Sequence, residues 1–117
     1  MDEIKKIQKL LATFAEERDW PQFHSPKNLS MAISVEASEL MELFLWDTPE
    51  ESFRVKEHSE KQLKEEISDV FLNLLRLASI LEIDLIEASL EKIRLNSQRY
   101  PVDLSKGHHT KHSRRDS

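Results

Sequence analysis

Apolar residues recur along this chain at spacings of three and four, the period of one face of an α-helix. Ile4, Ile7, Leu11 and Phe14, with Leu10 beside them, predict a helix over roughly residues 2–18, with Asp2 as its N-cap. Asp19-Trp20-Pro21 should end it, because the residue before a proline avoids the α region. Ser25-Pro26 reads as an N-cap followed by proline in the first turn. It opens a second helix running to about Trp46, with Leu29, Ile33, Glu36, Leu40 and Leu43 as its stripe. Thr48, Pro49, Glu50 and Glu51 signal another start, followed by a short helix or irregular segment to about His58. Ser59 then caps a long third helix to about Leu81, striped by Leu63, Glu66, Val70, Leu74 and Leu77. Asp84 caps a fourth, carrying Ile86, Leu90 and Ile93, which Tyr100-Pro101 ends.

Composition supports an all-α chain. A single Gly and four Pro among 117 residues are too few turn formers for an all-β fold, and the length is that of one domain. A chain of this size has a modest core, which makes burial against another subunit plausible. With no cysteine, disulfides and thiolate metal sites are excluded. The start, Met1-Asp2-Glu3-Ile4-Lys5-Lys6, mixes both charge signs and lacks a signal pattern. The longest apolar run, Val70 to Leu81, is interrupted by Asn73, Arg76 and Ser79 and is too short to span a bilayer. A cytoplasmic location is therefore expected.

The net charge of −5 is unevenly spread. Lys106, Lys111, Arg114 and Arg115 against Asp116 give residues 105–117 a charge of +3, leaving −8 on residues 1–104. The polar segment 105–117 has no apolar periodicity and reads as a disordered tail, outside a domain formed by residues 1–104. An acidic body argues against a nucleic-acid polymer as partner, since phosphate contacts need a basic footprint. It is compatible with a small phosphorylated ligand accompanied by metal ions.

Two acidic pairs change the picture most. Glu36-Ala37-Ser38-Glu39 and Glu66-Ile67-Ser68-Asp69 each place carboxylates at i, i+3, about 5–6 Å apart on one helix face. Glu36 and Glu66 interrupt apolar stripes, where ionised groups lose hydration at a cost of roughly several kcal/mol each. A divalent cation would relieve this, because hard cations take oxygen ligands. Solvated acidic faces are also common on helices, so spacing leaves both readings open. Among metals, a di-iron centre would need Glu-x-x-His pairs. No histidine here has a carboxylate three residues before it, which favours an all-oxygen site for Mg²⁺ or Mn²⁺.

Trp20, Phe23 and His24 lie close together, with Asn28 soon after and Trp46 beyond. Singly they suit a core; together they resemble an aromatic slot with polar edges, on which a planar base could stack for about 1–3 kcal/mol. Lys92, Asn96 and Arg99 share one side of the fourth helix. That arrangement fits a solvated helix end as well as a phosphate clamp.

The carboxylate pairs resemble the metal motif of the MazG-like all-α nucleoside triphosphate pyrophosphohydrolases. The resemblance extends to the dCTP pyrophosphatase branch through Phe14-Ala15-Glu16-Glu17-Arg18-Asp19-Trp20, Gln22-Phe23-His24, Pro26-Lys27-Asn28-Leu29, the Glu39 to Trp46 segment, Glu65 to Val70 and Arg99-Tyr100-Pro101. It covers roughly residues 4–104. It implies a four-helix bundle that forms an obligate dimer or dimer of dimers. It also implies Mg²⁺-dependent cleavage of a dNTP, dCTP or modified dCTP, to dNMP and pyrophosphate in nucleotide-pool sanitation. By position, Glu36, Glu39, Glu66 and Asp69 would be the catalytic Mg²⁺ ligands. Trp20, Phe23, His24 and Trp46 would line the base and sugar pocket, with Asn28 at its edge. Lys92, Asn96 and Arg99 would be candidates for phosphate contacts. One position departs: four residues after the motif aspartate the vertebrate dCTP enzymes carry tyrosine, and this chain has Asn73. Losing a ring removes stacking, and an amide adds hydrogen-bond options, so the base preference stays open. Competing readings are a broad NTP house-cleaner, a phosphoribosyl-ATP hydrolase, which the aromatic–His segment speaks against, and a non-catalytic helical interaction module.

Overall fold

The computed structural model describes residues 2–114; the end of the polar tail, residues 115–117, lies outside the described residues. Every element among those residues is helical: α1 (Glu3–Glu17), a 3₁₀ turn (Pro21–Phe23), α2 (Pro26–Glu42), α3 (Pro49–Ser52), α4 (Lys56–Ile80), α5 (Leu85–Arg99), α6 (Val102–Ser105) and a second 3₁₀ turn (His112–Arg114). None of these helices is long and apolar enough to cross a membrane. The chain divides into two compact units, Met1–Ile83 and Asp84–Ser117.

Within the first unit α4 packs against both α2 and α1. The apolar centre is small: Ala15, Leu29, Val55, Leu63, Leu75 and Ala78, with Leu75 wholly buried at 0% exposure. Gln8 of α1 donates its Nε2–H to the Leu75 carbonyl at 3.3 Å, tying α1 to the middle of α4.

The expected caps form. Asp2, Ser25, Thr48 and Asp84 each accept from a backbone N–H three residues on. Thr48 and Glu51 complete a reciprocal capping box. Two boundaries differ from the expectations. First, α1 does not end because of Pro21, since Trp20 keeps α-region dihedrals (φ −84°, ψ −18°). Asp19 ends it, in the left-handed region at φ 56°. Its N–H bonds to the Glu16 carbonyl and that of Trp20 to the Ala15 carbonyl, which is the Schellman pattern. Second, α2 stops at Glu42 rather than near Trp46. Leu43, Phe44 and Leu45 donate to carbonyls three residues back and tighten the chain into turns. The long helix expected from Ser59 forms: α4 comprises a short first stretch from Lys56 and the long helix, joined across a kink at the non-helical Ser59 (φ −138°, ψ 27°). The Ser59 hydroxyl pairs with His58 Nδ1 at 2.7 Å.

In the second unit, α5 runs from its Asp84 cap to Tyr100 as expected. Beyond it, the main-chain N–H of His112 donates to the Tyr100 hydroxyl at 3.2 Å, and the two rings meet edge to face.

Candidate active site

Helix α2 presents Glu36 and Glu39 one turn apart, and α4 presents Glu66 opposite them. One carboxylate oxygen from each of the three lies within 4.8 Å of the others. Glu36 and Glu66 are half-buried and Glu39 is exposed. The Oε2 atoms of Glu36 and Glu66 are shielded from solvent and have no hydrogen-bond partner. Burial is the main influence that raises both carboxyls above the ordinary carboxylate value. The adjoining Glu39 carboxyl is the next influence on each, and the charge of Asp69 adds to it. Asp69, exposed on α4 one turn after Glu66, is thus within electrostatic reach of Glu36 and Glu66. Three convergent carboxylates, two of which carry a buried and unpartnered oxygen, are a donor set that could hold a metal ion.

The aromatic segment is set by the end of α1. The Asp19 turn lays Trp20 back over Phe14, ring centroids 5.5 Å apart and edge to face. Arg18 covers Phe14 from another side, its Cζ 3.7 Å from the ring centroid. Trp20 stands edge to face with His24 at 6.3 Å and keeps 42% of its surface exposed. Asn28, read from the sequence as a pocket edge, uses its side-chain N–H to hold the Phe23 carbonyl at 3.1 Å, so it braces the segment.

A residue without a role in the sequence reading joins this segment to the carboxylates. Arg76 Nε donates to His24 Nδ1 at 3.1 Å across 52 residues of chain. Glu66, Asp69, Asn73 and Arg76 fall at i, i+3, i+7 and i+10, one stripe along α4. The stripe begins with carboxylates and ends about 15 Å further along at the guanidinium that holds His24. That spacing is visible in the sequence, although what Arg76 would meet is not.

The remaining positions are less gathered. Phe23 is 58% exposed and the Trp46 side chain projects almost bare, at 91%. Asn73 is half-buried on α4. Lys92, Asn96 and Arg99 lie on α5, in the second unit, with Lys92 and Arg99 exposed and Asn96 half-buried.

Comparison with known proteins places this arrangement. The chain is 44% identical to dCTP pyrophosphatase 1 of Rattus norvegicus over 108 residues, 89% of this chain and 62% of that protein. It is 40% identical to dCTP pyrophosphatase 1 of Homo sapiens over 114 residues, 94% and 66% of the two. The chain therefore spans less than two thirds of the length of these curated relatives. The crystal structure of a pyrophosphatase from Archaeoglobus fulgidus matches with a TM-score of 0.82 at 37% identity, covering 86% of this chain and 94% of that one. The profile of the MazG-like family matches residues 31–114, a span that contains both acidic pairs. With its helical fold and its facing carboxylates inside that span, the chain belongs to the MazG-like family.

Proposed function

We propose that this chain is a Mg²⁺-dependent nucleotide pyrophosphohydrolase that converts a dNTP, dCTP or a modified dCTP foremost, to dNMP and pyrophosphate. The observation that carries the reading is the convergence of Glu36, Glu39 and Glu66, with two buried oxygens lacking any partner. An all-oxygen donor set of this kind fits Mg²⁺, with Mn²⁺ as a substitute. Relatives 40–44% identical that are named dCTP pyrophosphatase 1 support the substrate class.

A triphosphate could not approach four clustered carboxylates unaided. Mg²⁺ bound by Glu36, Glu39, Glu66 and Asp69 would supply charge neutralisation and Lewis-acid polarisation of phosphate oxygens. The protein's own groups do the rest. Glu39, the exposed member of the trio, is proposed to take the proton of the attacking water. The Trp20 face and His24 receive the base and sugar, with Phe23 and Trp46 closing on them. Asn73 sits between the two ends of the α4 stripe, where an amide rather than a ring would set base preference. That substitution also sustains the second reading, a broader NTP house-cleaner. Lys92, Asn96 and Arg99 are proposed as phosphate contacts. The active form is taken to be a homodimer or dimer of dimers in the cytoplasm.

Incubation with each dNTP and Mg²⁺, followed by separation of products, tests the reaction. Pyrophosphate and the monophosphate are expected, and release of orthophosphate instead would overturn the mechanism. Glu39→Gln should abolish turnover while leaving the circular dichroism spectrum unchanged; retained activity would remove Glu39 from the site. Thermal shift separates an enzyme from a helical interaction module. A nucleotide at a hundred times its Kd stabilises its protein by about 2.7 kcal/mol, and a module without a nucleotide site gains nothing.

A further inference from the structure

Arg76 is half-buried, yet among the described residues no carboxylate forms an ion pair with it. The hydrogen bond found for its side chain is to an imidazole nitrogen, His24 Nδ1. A guanidinium in that position has one chemical consequence. Arginine carries donors and no acceptor, and stays protonated in proteins. The nitrogen that accepts from it must present a lone pair, so Nδ1 bears no proton. Neutral imidazole has one N–H, and here it must be on Nε2. The doubly protonated ring has no lone pair and cannot make this bond.

We propose that Arg76 is a positioning residue that holds His24 as the neutral Nε2–H tautomer, making it a hydrogen-bond donor to an acceptor atom on the base-and-sugar end of the bound nucleotide. The proposal rests on the reading of Trp20 and His24 as the nucleoside pocket. Three further observations fit it. His24 is half-buried against the Trp20 edge, so its ring plane is held on two sides. Burial first, and the Arg76 charge second, hold its pKa below the ordinary imidazole value, which keeps it neutral. Gln8 grips the carbonyl of Leu75, the residue before Arg76, fixing the α4 turn from which the guanidinium projects. A histidine held in this way is a donor at Nε2 and takes no proton from substrate. It therefore discriminates by position: a ligand must offer a carbonyl oxygen, a ring nitrogen lone pair or a hydroxyl oxygen there, while a ligand N–H would meet a second N–H.

The test is nitrogen-15 NMR of the imidazole in the full chain, with and without the α,β-methylene analogue of dCTP plus Mg²⁺. The His24 ring should show a protonated Nε2 and a bare Nδ1 in the free protein, and the Nε2 resonance should move when the analogue binds. Arg76→Met, which keeps length and removes the donor, should give a mixture of tautomers and about tenfold weaker analogue binding, the size of one lost hydrogen bond. Arg76→Lys retains a donor and should restore part of both. A mixed or Nδ1-protonated ring in the free wild-type protein would overturn the proposal and leave the pocket reading standing. A His24 ring of the expected form that ignores the analogue would overturn the pocket reading together with the proposal. Unchanged affinity in Arg76→Met despite a changed tautomer would overturn the positioning role alone. Circular dichroism of both variants separates these results from unfolding.

Discussion

Glu36 and Glu66 hold uncomfortable positions, each with a buried and unpartnered oxygen, and their discomfort has a sign that can be measured. Both carry a raised pKa in the folded chain, because burial penalises the ionised form before Glu39 and Asp69 add to the effect. In the unfolded chain they return towards the ordinary value of 4.5. The native state thus keeps its protons to higher pH than the unfolded state. Stability from these two groups is complete below 4.5 and is lost as pH rises through their raised folded values. The melting temperature of metal-free protein should therefore fall over that interval. Glu36→Gln should raise it at neutral pH and flatten the slope, since an amide cannot ionise. Saturating Mg²⁺ favours the ionised carboxylates and should remove the fall. Melts of chelator-treated and Mg²⁺-loaded protein across the acid-to-neutral range check all three. A Glu36→Gln chain that melts lower without metal would show that this carboxylate is not under strain.

At the scale of the element, what the sequence discloses and what it conceals divide along a physical line. Helix starts depend on a side chain reaching its own backbone three residues on, so Asp2, Ser25, Thr48 and Asp84 are legible as caps. The acidic pairs are legible for the same reason, since i, i+3 is a local relation. Helix ends that use the left-handed region are legible when glycine occupies them. Here Asp19 and Glu82 do so instead, at φ 56° and 55°. Pro21 draws attention to the wrong residue, since Trp20 before it remains in the α region. The Arg76–His24 bond spans 52 residues, and no local rule reaches that far. Asp19 is the element-scale lever on the site, because its turn places Trp20 on Phe14 and next to His24. A β-branched side chain tolerates the left-handed region poorly. Asp19→Val should cost about 1–2 kcal/mol of stability and should weaken nucleotide binding as Trp20 loses its seat. Denaturant melts and analogue binding by calorimetry measure the two effects. Lost stability with undiminished affinity would detach the turn from the pocket.

At the scale of the molecule the apolar surface is unfinished. Many of its large apolar side chains stand exposed. Much of the apolar share is arranged rather than scattered. On α4, Ile67, Phe71 and Leu74 are exposed at i, i+4 and i+7, and on α5, Ile86, Leu90 and Ile93 repeat the pattern. Stripes at helical period are what a helix presents to a neighbour, and a second copy of the chain is the neighbour proposed above. Sedimentation should therefore find a dimer or a larger assembly. The melting temperature should rise with protein concentration, because association stabilises the folded chain by mass action. Leu90→Glu discriminates further. In a monomer a surface substitution changes stability by no more than about 0.5 kcal/mol, and removing an exposed leucine would improve solubility. In an oligomer that buries this stripe, the carboxylate loses its hydration at the interface and the assembly dissociates. The dimer reading requires the variant to sediment as a smaller species with a lower, concentration-independent melting temperature. A variant that sediments and melts like the parent would leave the α5 stripe outside any interface.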